Sequence, residues 1–398
     1  MSIAAAAPWP QPQERTAYFP KTLLLCLCVF FIPMKALALQ VGGQSVYVPF
    51  LGLGLASIFL LSPIGTTFRR NFAAPMTGIA ALSLFYYWQT GYKPEVFIFG
   101  LKVAVLFGLA ALYVILLRID ERKVMSFLFW GAAISIVYMV YQAISLEFFG
   151  ASLPFTSVEG LQIGRGLGVR YGMVRTTGFS EEPSYAAVML VGTALMLRSY
   201  QIRSGESQRR RYFVLLAGLL LCTSNSLFAT LPLLGVFSLF YFFRAPFLFF
   251  LLFYVFNLVV TPIVLNIDET FFARFTSYAQ FLHLPVSQWW FGIGFNQYST
   301  LPVPIFITPD GIPTLVVDSI ASLWGGVLLE GGIVFAAMFC FYLNRLTQAA
   351  RDSTGYALLA ILLMLANYYS PWWPIVSLAL AYSIVSRDGP ITPAEVSE

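Results

Sequence analysis

The sequence predicts an all-α, polytopic membrane protein, a bundle of about twelve transmembrane helices, on three observations. Of its 398 residues 59% are hydrophobic and only 10% are charged, against roughly 25% charged in soluble domains. Mean hydropathy is +0.78. The apolar stretches are continuous rather than alternating, which excludes a spanning β-barrel and leaves helices, whose backbone bonds close within each segment.

Taken in order, residues 1–20 form a polar tail containing Pro and Gln, with no cleavable leader. Runs of about 20 apolar residues suit a span, and they are expected near 22–40, 46–63, 73–89, 95–117, 124–148, 184–199, 212–225, 227–243, 247–265, 320–343, 355–369 and 371–386. The pairs meeting at Asn225 and at Ser370-Pro371 read as tight hairpins or broken helices. Cys26, Cys28, Cys222 and Cys340 all fall within apolar runs and read as small core hydrophobes rather than disulfides or metal ligands. Neither an internal repeat nor a separate soluble domain is evident, so residues 1–398 read as a single integral membrane domain.

Arginine and lysine bias sets the orientation. With the N-terminus in the cytoplasm and alternating spans, sixteen of the 23 cations lie inside, among them Arg118, Arg122, Lys123, Arg203, Arg209, Arg210 and Arg211. Both termini then come out cytoplasmic. The net charge of +5 is therefore a matter of topology, not of nucleic-acid binding. Two long external loops result, 150–182 and 266–319, and they hold Arg165, Arg170, Arg175 and Arg274. External arginines run against the bias, and long loops are commonly functional.

The first loop ends in a glycine-spaced arginine series, Arg165, Arg170 and Arg175, followed by Glu181, Glu182 and Pro183. Guanidinium forks match phosphate oxygens, glycines let backbone approach a ligand, and Pro183 suits the first turn of a helix. Together they suggest a phosphate or pyrophosphate site. Contact with lipid head groups, or pairing with Glu159, Glu181 and Glu182, is the plainer alternative. The second loop opens on an expected amphipathic helix, with Phe271, Phe275, Tyr278 and Leu282 on its apolar side and Arg274, Ser277, Gln280 and His283 mostly around the other. Trp289 and Trp290 follow and suit either the head-group layer or a sugar ring, and Tyr185 is a further candidate for such contact. Asp318 closes the loop. Glu330 falls within a span and is expected to face a cavity or a partner. His283 is the only histidine, which excludes a multi-histidine metal site, and no phosphate-cradling lysine motif of the ATPase kind is present.

The order of Arg175-Thr-Thr-Gly-Phe-Ser-Glu-Glu-Pro-Ser-Tyr, then Trp290-Phe-Gly-Ile-Gly-Phe-Asn-Gln-Tyr, Asp318-Ser-Ile and Leu328-Leu-Glu-Gly-Gly-Ile resembles the bacterial O-antigen polymerase and ligase superfamily, in particular its Wzy-type polymerases. The resemblance covers the chain from about the fourth span onward. It implies a GT-C-like glycosyltransferase of the bacterial inner membrane whose two large loops are periplasmic. Such enzymes join oligosaccharide repeat units carried on undecaprenyl pyrophosphate; the donor is already activated, so no cofactor or metal is implied. Arg165, Arg170, Arg175 and Arg274 would hold the pyrophosphate, with Arg175 also catalytic. Glu182 or Asp318 would act as base, with Glu181 an outsider. Lipid and a chain-length co-polymerase are candidate partners. Ligases of the superfamily place a histidine where Asp318 stands, and that departure favours polymerase over ligase. A flippase or transporter for lipid-linked sugars is the other alternative; its charges should line a central cavity, whereas Lys35, Lys102 and Glu330 are the few ionisable residues expected within spans.

Overall fold

The computed structural model describes residues 29–34, 37–41, 44–150, 167–170, 173–180, 182–222, 246–265, 269–307, 313–316, 322–349 and 374–387, with a few single positions between them. A short hairpin, β1 (Ala38–Val41) with β2 (Gln44–Tyr47), precedes α1 (Val48–Gln89) and α2 (Val96–Phe149). A second hairpin, β3 (Gly168–Arg170) with β4 (Met173–Arg175), leads to α3 (Pro183–Ser204) and α4 (Arg209–Cys222). Then come α5 (Pro246–Val264), α6 (Glu269–His283), the single turn α7 (Val286–Trp289), a third hairpin of β5 (Ile305–Ile307) and β6 (Pro313–Val316), α8 (Leu323–Ala349) and α9 (Pro374–Arg387). The protein is thus mainly helical. Among the described residues α2, α5 and α8 are long and apolar enough to cross a membrane, and α1 is a fourth if its bent halves make one span.

The 54 residues of α2 are two limbs, not one rod. Asp120 has extended backbone (φ −156°, ψ 81°), and its carboxylate accepts the Lys123 amide at 2.9 Å while facing the Lys123 ammonium at 3.0 Å. It caps the second limb. Packing fixes the relative direction of the limbs. α9 runs parallel to the first limb, Ser377 donating to the Leu106 carbonyl and Tyr382 to Glu121. α3 runs antiparallel to the second, with Gly178 against Gln142 just before it starts and Arg203 against Glu121 near its end. α3 and α9 are parallel to each other, since Gly192 meets Ile375 and Arg203 meets Ser386. The chain therefore reverses at Asp120, where the spans expected at 95–117 and 124–148 part.

Two expectations need correction. The spans drawn at 46–63 and 73–89, parted by Arg69 and Arg70, are instead one helix that bends by 110° at Leu60 and passes unbroken through both arginines. Pro63 explains the position: it lacks a donor and crowds the carbonyl four residues before it, so the ladder gives way upstream of the charges. The span at 22–40 does not reach its expected end either, because residues 38–41 form β1. Gly42-Gly43 beside them is a pair that suits a two-residue hairpin turn better than a helix. Spans expected at 227–243 and 355–369 lie almost wholly outside the described residues. Cys222 and Cys340 are free, buried thiols, as core hydrophobes should be.

The core is continuous through the bundle. The first limb of α2 is buried almost all round from Leu109 to Leu117. Phe295 fills the junction of α1, α2 and α8, stacked on Phe99 (4.2 Å between centroids) and edge-on to Tyr86 and Phe335. Trp324 anchors α5 to α8 through Phe253, Tyr254 and Phe339.

Candidate functional site

The β3–β4 hairpin pairs Gly168 with Arg175 and Arg170 with Met173. Past Arg175 the chain does not stay at the surface. Thr176, Thr177 and Ser180 are fully buried, and the turn they form is held by two side chains of the second α2 limb. The Gln142 amide oxygen accepts the Thr177 amide at 3.1 Å and the Gly178 amide at 2.9 Å, and its nitrogen faces the Thr177 hydroxyl at 3.2 Å. Ser135 accepts the Phe179 amide at 3.2 Å, and Phe179 stacks flat on Tyr138 at 4.4 Å. The Thr176 amide and hydroxyl both donate to the Leu221 carbonyl at the end of α4. At about 1.5 Å per residue, Ser135 lies about 21 Å from either end of its limb. The expected external loop thus re-enters the bundle to mid-limb depth. Backbone there must find partners inside the protein, and Gln142 and Ser135 supply them.

Gly178 makes the turn possible. Its φ is +55°, and a Cβ there would fall 2.4 Å from the Ser135 hydroxyl, so both conformation and space demand glycine. Four residues on, Glu182 is the N-cap of α3, with extended backbone (φ −138°, ψ 153°) and Pro183 next. Its carboxylate accepts the Ser184 hydroxyl at 3.4 Å, and its carbonyl takes both the Tyr185 and Ala186 amides. No side-chain hydrogen bond caps the opening amides of this helix. The charge of Glu182 suits the positive end of the helix dipole.

Arg175 is half-buried, with its Nε fully so, close enough to the Cys222 thiol for its charge to act there. The Ser180 hydroxyl is buried and has no hydrogen-bond partner among the described residues. A buried polar group without a partner is costly, so the turn offers a donor to whatever polar group enters it. Sequence reading missed Ser135, Gln142 and Ser180. Two polar residues seven apart in an apolar limb share one helix face and were a usable signal for the first two.

The other expected residues lie elsewhere. Arg274 is half-buried on α6, which packs chiefly on α5 and α8, whereas β4 packs on α2 and α4. The two arginines are held by different sets of helices. On α6 the buried side is shifted to Thr276, Ser277, Tyr278 and Phe281; of the expected stripe Tyr278 belongs to it, Phe275 and Leu282 are half-buried, and the Phe271 side chain lies outside those described. Gly325 of α8 explains the shift, since it admits the Ser277 Cβ (2.9 Å from a Cβ placed on Gly325) and the Tyr278 ring. Burial pushes the Tyr278 phenol well above its ordinary value, a hydrogen bond to Ser322 opposing. Trp289 stacks on Phe281 (5.7 Å) and donates to the Leu284 carbonyl, so its ring serves the fold. Trp290 keeps its ring exposed, and Tyr185 is half-exposed in the first turn of α3. Arg165, Glu181 and Asp318 lie outside the described residues, and Arg170 is described in backbone only.

A second polar knot surrounds Glu330. α8 breaks at Gly332 (φ 64°, ψ −170°), and the loop after Trp290 enters the break. Ile293 and Gly294 donate to the freed Leu329 and Glu330 carbonyls, Val334 donates back to the Trp290 carbonyl, each at 3.0 Å, and the Tyr86 hydroxyl donates to the Gly331 carbonyl at 3.2 Å. The Glu330 side chain is buried at this break. Gly-Gly inside an apolar run was the sequence signal. No metal-holding cluster of His, Cys, Asp or Glu occurs among the described residues.

In comparisons with known proteins, no family model, curated protein or solved structure matches the chain.

Proposed function

We propose that this protein is a polysaccharide polymerase: a polytopic, GT-C-like helical bundle of the bacterial inner membrane, with both termini cytoplasmic, that joins undecaprenyl-pyrophosphate-linked repeat units at its periplasmic face. The observation that supports the reading best is the buried turn that holds Arg175 at one end, Glu182 at the other and, between them, the buried Ser180 hydroxyl, unpartnered among the described residues. In the proposed reaction an acceptor sugar hydroxyl attacks the anomeric carbon of the donor. The bond from that carbon to the pyrophosphate oxygen breaks, and the hydroxyl proton passes to a carboxylate, Glu182 or Asp318. Arg165, Arg170 and Arg175, with Arg274 from the second loop, meet the charge that develops on the departing pyrophosphate. At about 4 Å a charge pair is worth roughly 1 kcal/mol in bulk water and about 4 kcal/mol at an effective dielectric of 20, so a sheltered Arg175 does more than an exposed one. Trp290 and Tyr185 are left to contact sugar, and a chain-length co-polymerase is the expected protein partner.

Purified protein supplied with lipid-linked repeat units alone should build a ladder still attached to undecaprenyl pyrophosphate. Arg175→Ala should slow it by about 10²–10³-fold, the scale of removing one transition-state donor, and Arg175→Lys should restore part of the rate by returning charge without the fork. Full-length polymer from the alanine variant at normal expression removes the role. A second reading, a carrier for lipid-linked sugars, is favoured by the mid-limb depth of the turn; the same assay separates it, because a carrier moves units across vesicles without forming a ladder.

A further inference from the structure

Away from the Arg175 turn, a cavity of about 450 Å³ lies between α1, the first limb of α2, α8 and α9. That is within the usual range for small-molecule sites. Its walls are hydrocarbon, with Phe107, Val327, Phe335, Phe339 and Leu380 among them. Among the described residues of its lining, Arg70 and Arg345 are the only charged ones. Both arginines are exposed, so their stems line the chamber while their guanidinium groups reach beyond it. Met338 and Phe341 also border the cavity and are exposed, which opens it sideways through the α8 wall. Ser383 and Ile384, next to the Tyr382–Glu121–Arg203 cluster, place the cavity towards the arginine-rich end of the bundle.

We infer that this cavity is a binding site for one anionic phospholipid, an acyl chain in the chamber and the head-group phosphate on Arg70 and Arg345. The chemistry selects the occupant. An apolar chamber does not draw in water, and left empty it forfeits contacts on every side. A soluble apolar ligand would have no use for two cations, and a free phosphate would have no use for the chamber. A lipid joins both halves, and the sideways opening lets it enter from the bilayer. The inference stands apart from the polysaccharide reading.

The test is native mass spectrometry of the full-length protein, delipidated and then offered equal phosphatidylglycerol and phosphatidylcholine. The wild type should retain phosphatidylglycerol at least tenfold over phosphatidylcholine. Arg70→Gln/Arg345→Gln should abolish the preference; both groups are exposed, so the variant should still elute as the wild type does. Val327→Trp, which fills the chamber, should reduce retention of either lipid. Equal retention of the two lipids by the wild type would overturn the inference. So would an unchanged preference in the double arginine variant, displacement of the lipid by inorganic phosphate alone, or stronger retention of undecaprenyl phosphate than of phosphatidylglycerol.

Discussion

Two glycine-containing segments enter the bundle, and they solve one problem in opposite ways. The Thr176–Ser180 turn lends its amides to side chains, Gln142 and Ser135. The Trp290–Phe295 loop lends its amides to backbone, at carbonyls that α8 releases by breaking at Gly332. The first solution depends on what one or two side chains are. The second depends on what is absent, since a Cβ on Gly292 would fall 2.5 Å from the Leu329 and Glu330 carbonyls, and one on Gly332 equally close to the Gly292 amide. A side-chain anchor can be replaced by another acceptor. A backbone anchor between two glycines cannot be replaced at all.

The sharpest way to break this contrast is Gly292→Ala. Left-handed strain (φ +69°) and overpacking together should cost about 4 kcal/mol, seen as a collapse of the thermal midpoint in detergent; a midpoint within a few degrees of wild type would show that the loop is not seated in the break. Gln142→Leu should come next. It orphans the Thr177 and Gly178 amides at about 1–3 kcal/mol each, while Gln142→Glu keeps the acceptor and should recover most of the loss. Equal midpoints for the two variants would end the claim that a side chain holds the turn. Glu121→Gln weakens a charge-assisted contact with Arg203 that is mostly shielded from solvent, and about 1–2 kcal/mol is expected, readable as a smaller drop in the same scan. Ser135→Ala, losing one neutral bond to the Phe179 amide, should cost about 1 kcal/mol, the smallest drop in the same scan.

Much of the helical plan was legible because hydrocarbon runs report burial directly. The parting of α2 near residue 120 was readable from Arg118, Arg122 and Lys123, charges that belong outside hydrocarbon. The bend of α1 was misplaced because the same reasoning was applied to Arg69 and Arg70, where a proline six residues upstream outweighed them. The candidate site was legible in kind and not in place. The motif from Arg175 to Glu182 stood out by its polarity, but its depth did not, since depth is set by distant partners at positions 135 and 142. The link between Gly332 and the loop after Trp290 lies in hydrogen bonds between backbones, which leave no mark on residue identity beyond the glycines. Arg274 was grouped with Arg175 as an arginine of an external loop, a reading of sidedness that carries no information on which helices hold each residue.

The Gln142 anchor has a consequence for how the chain is made. It is synthesised 35 residues before Thr177, its partner, a delay of about 2–7 seconds at roughly 5–20 residues per second. Through that interval the α2 hairpin stands complete while its carboxamide has no Thr176–Ser180 turn to hold. Until the ribosome delivers that segment, the carboxamide must find water or another polar partner, because a buried amide without one is costly.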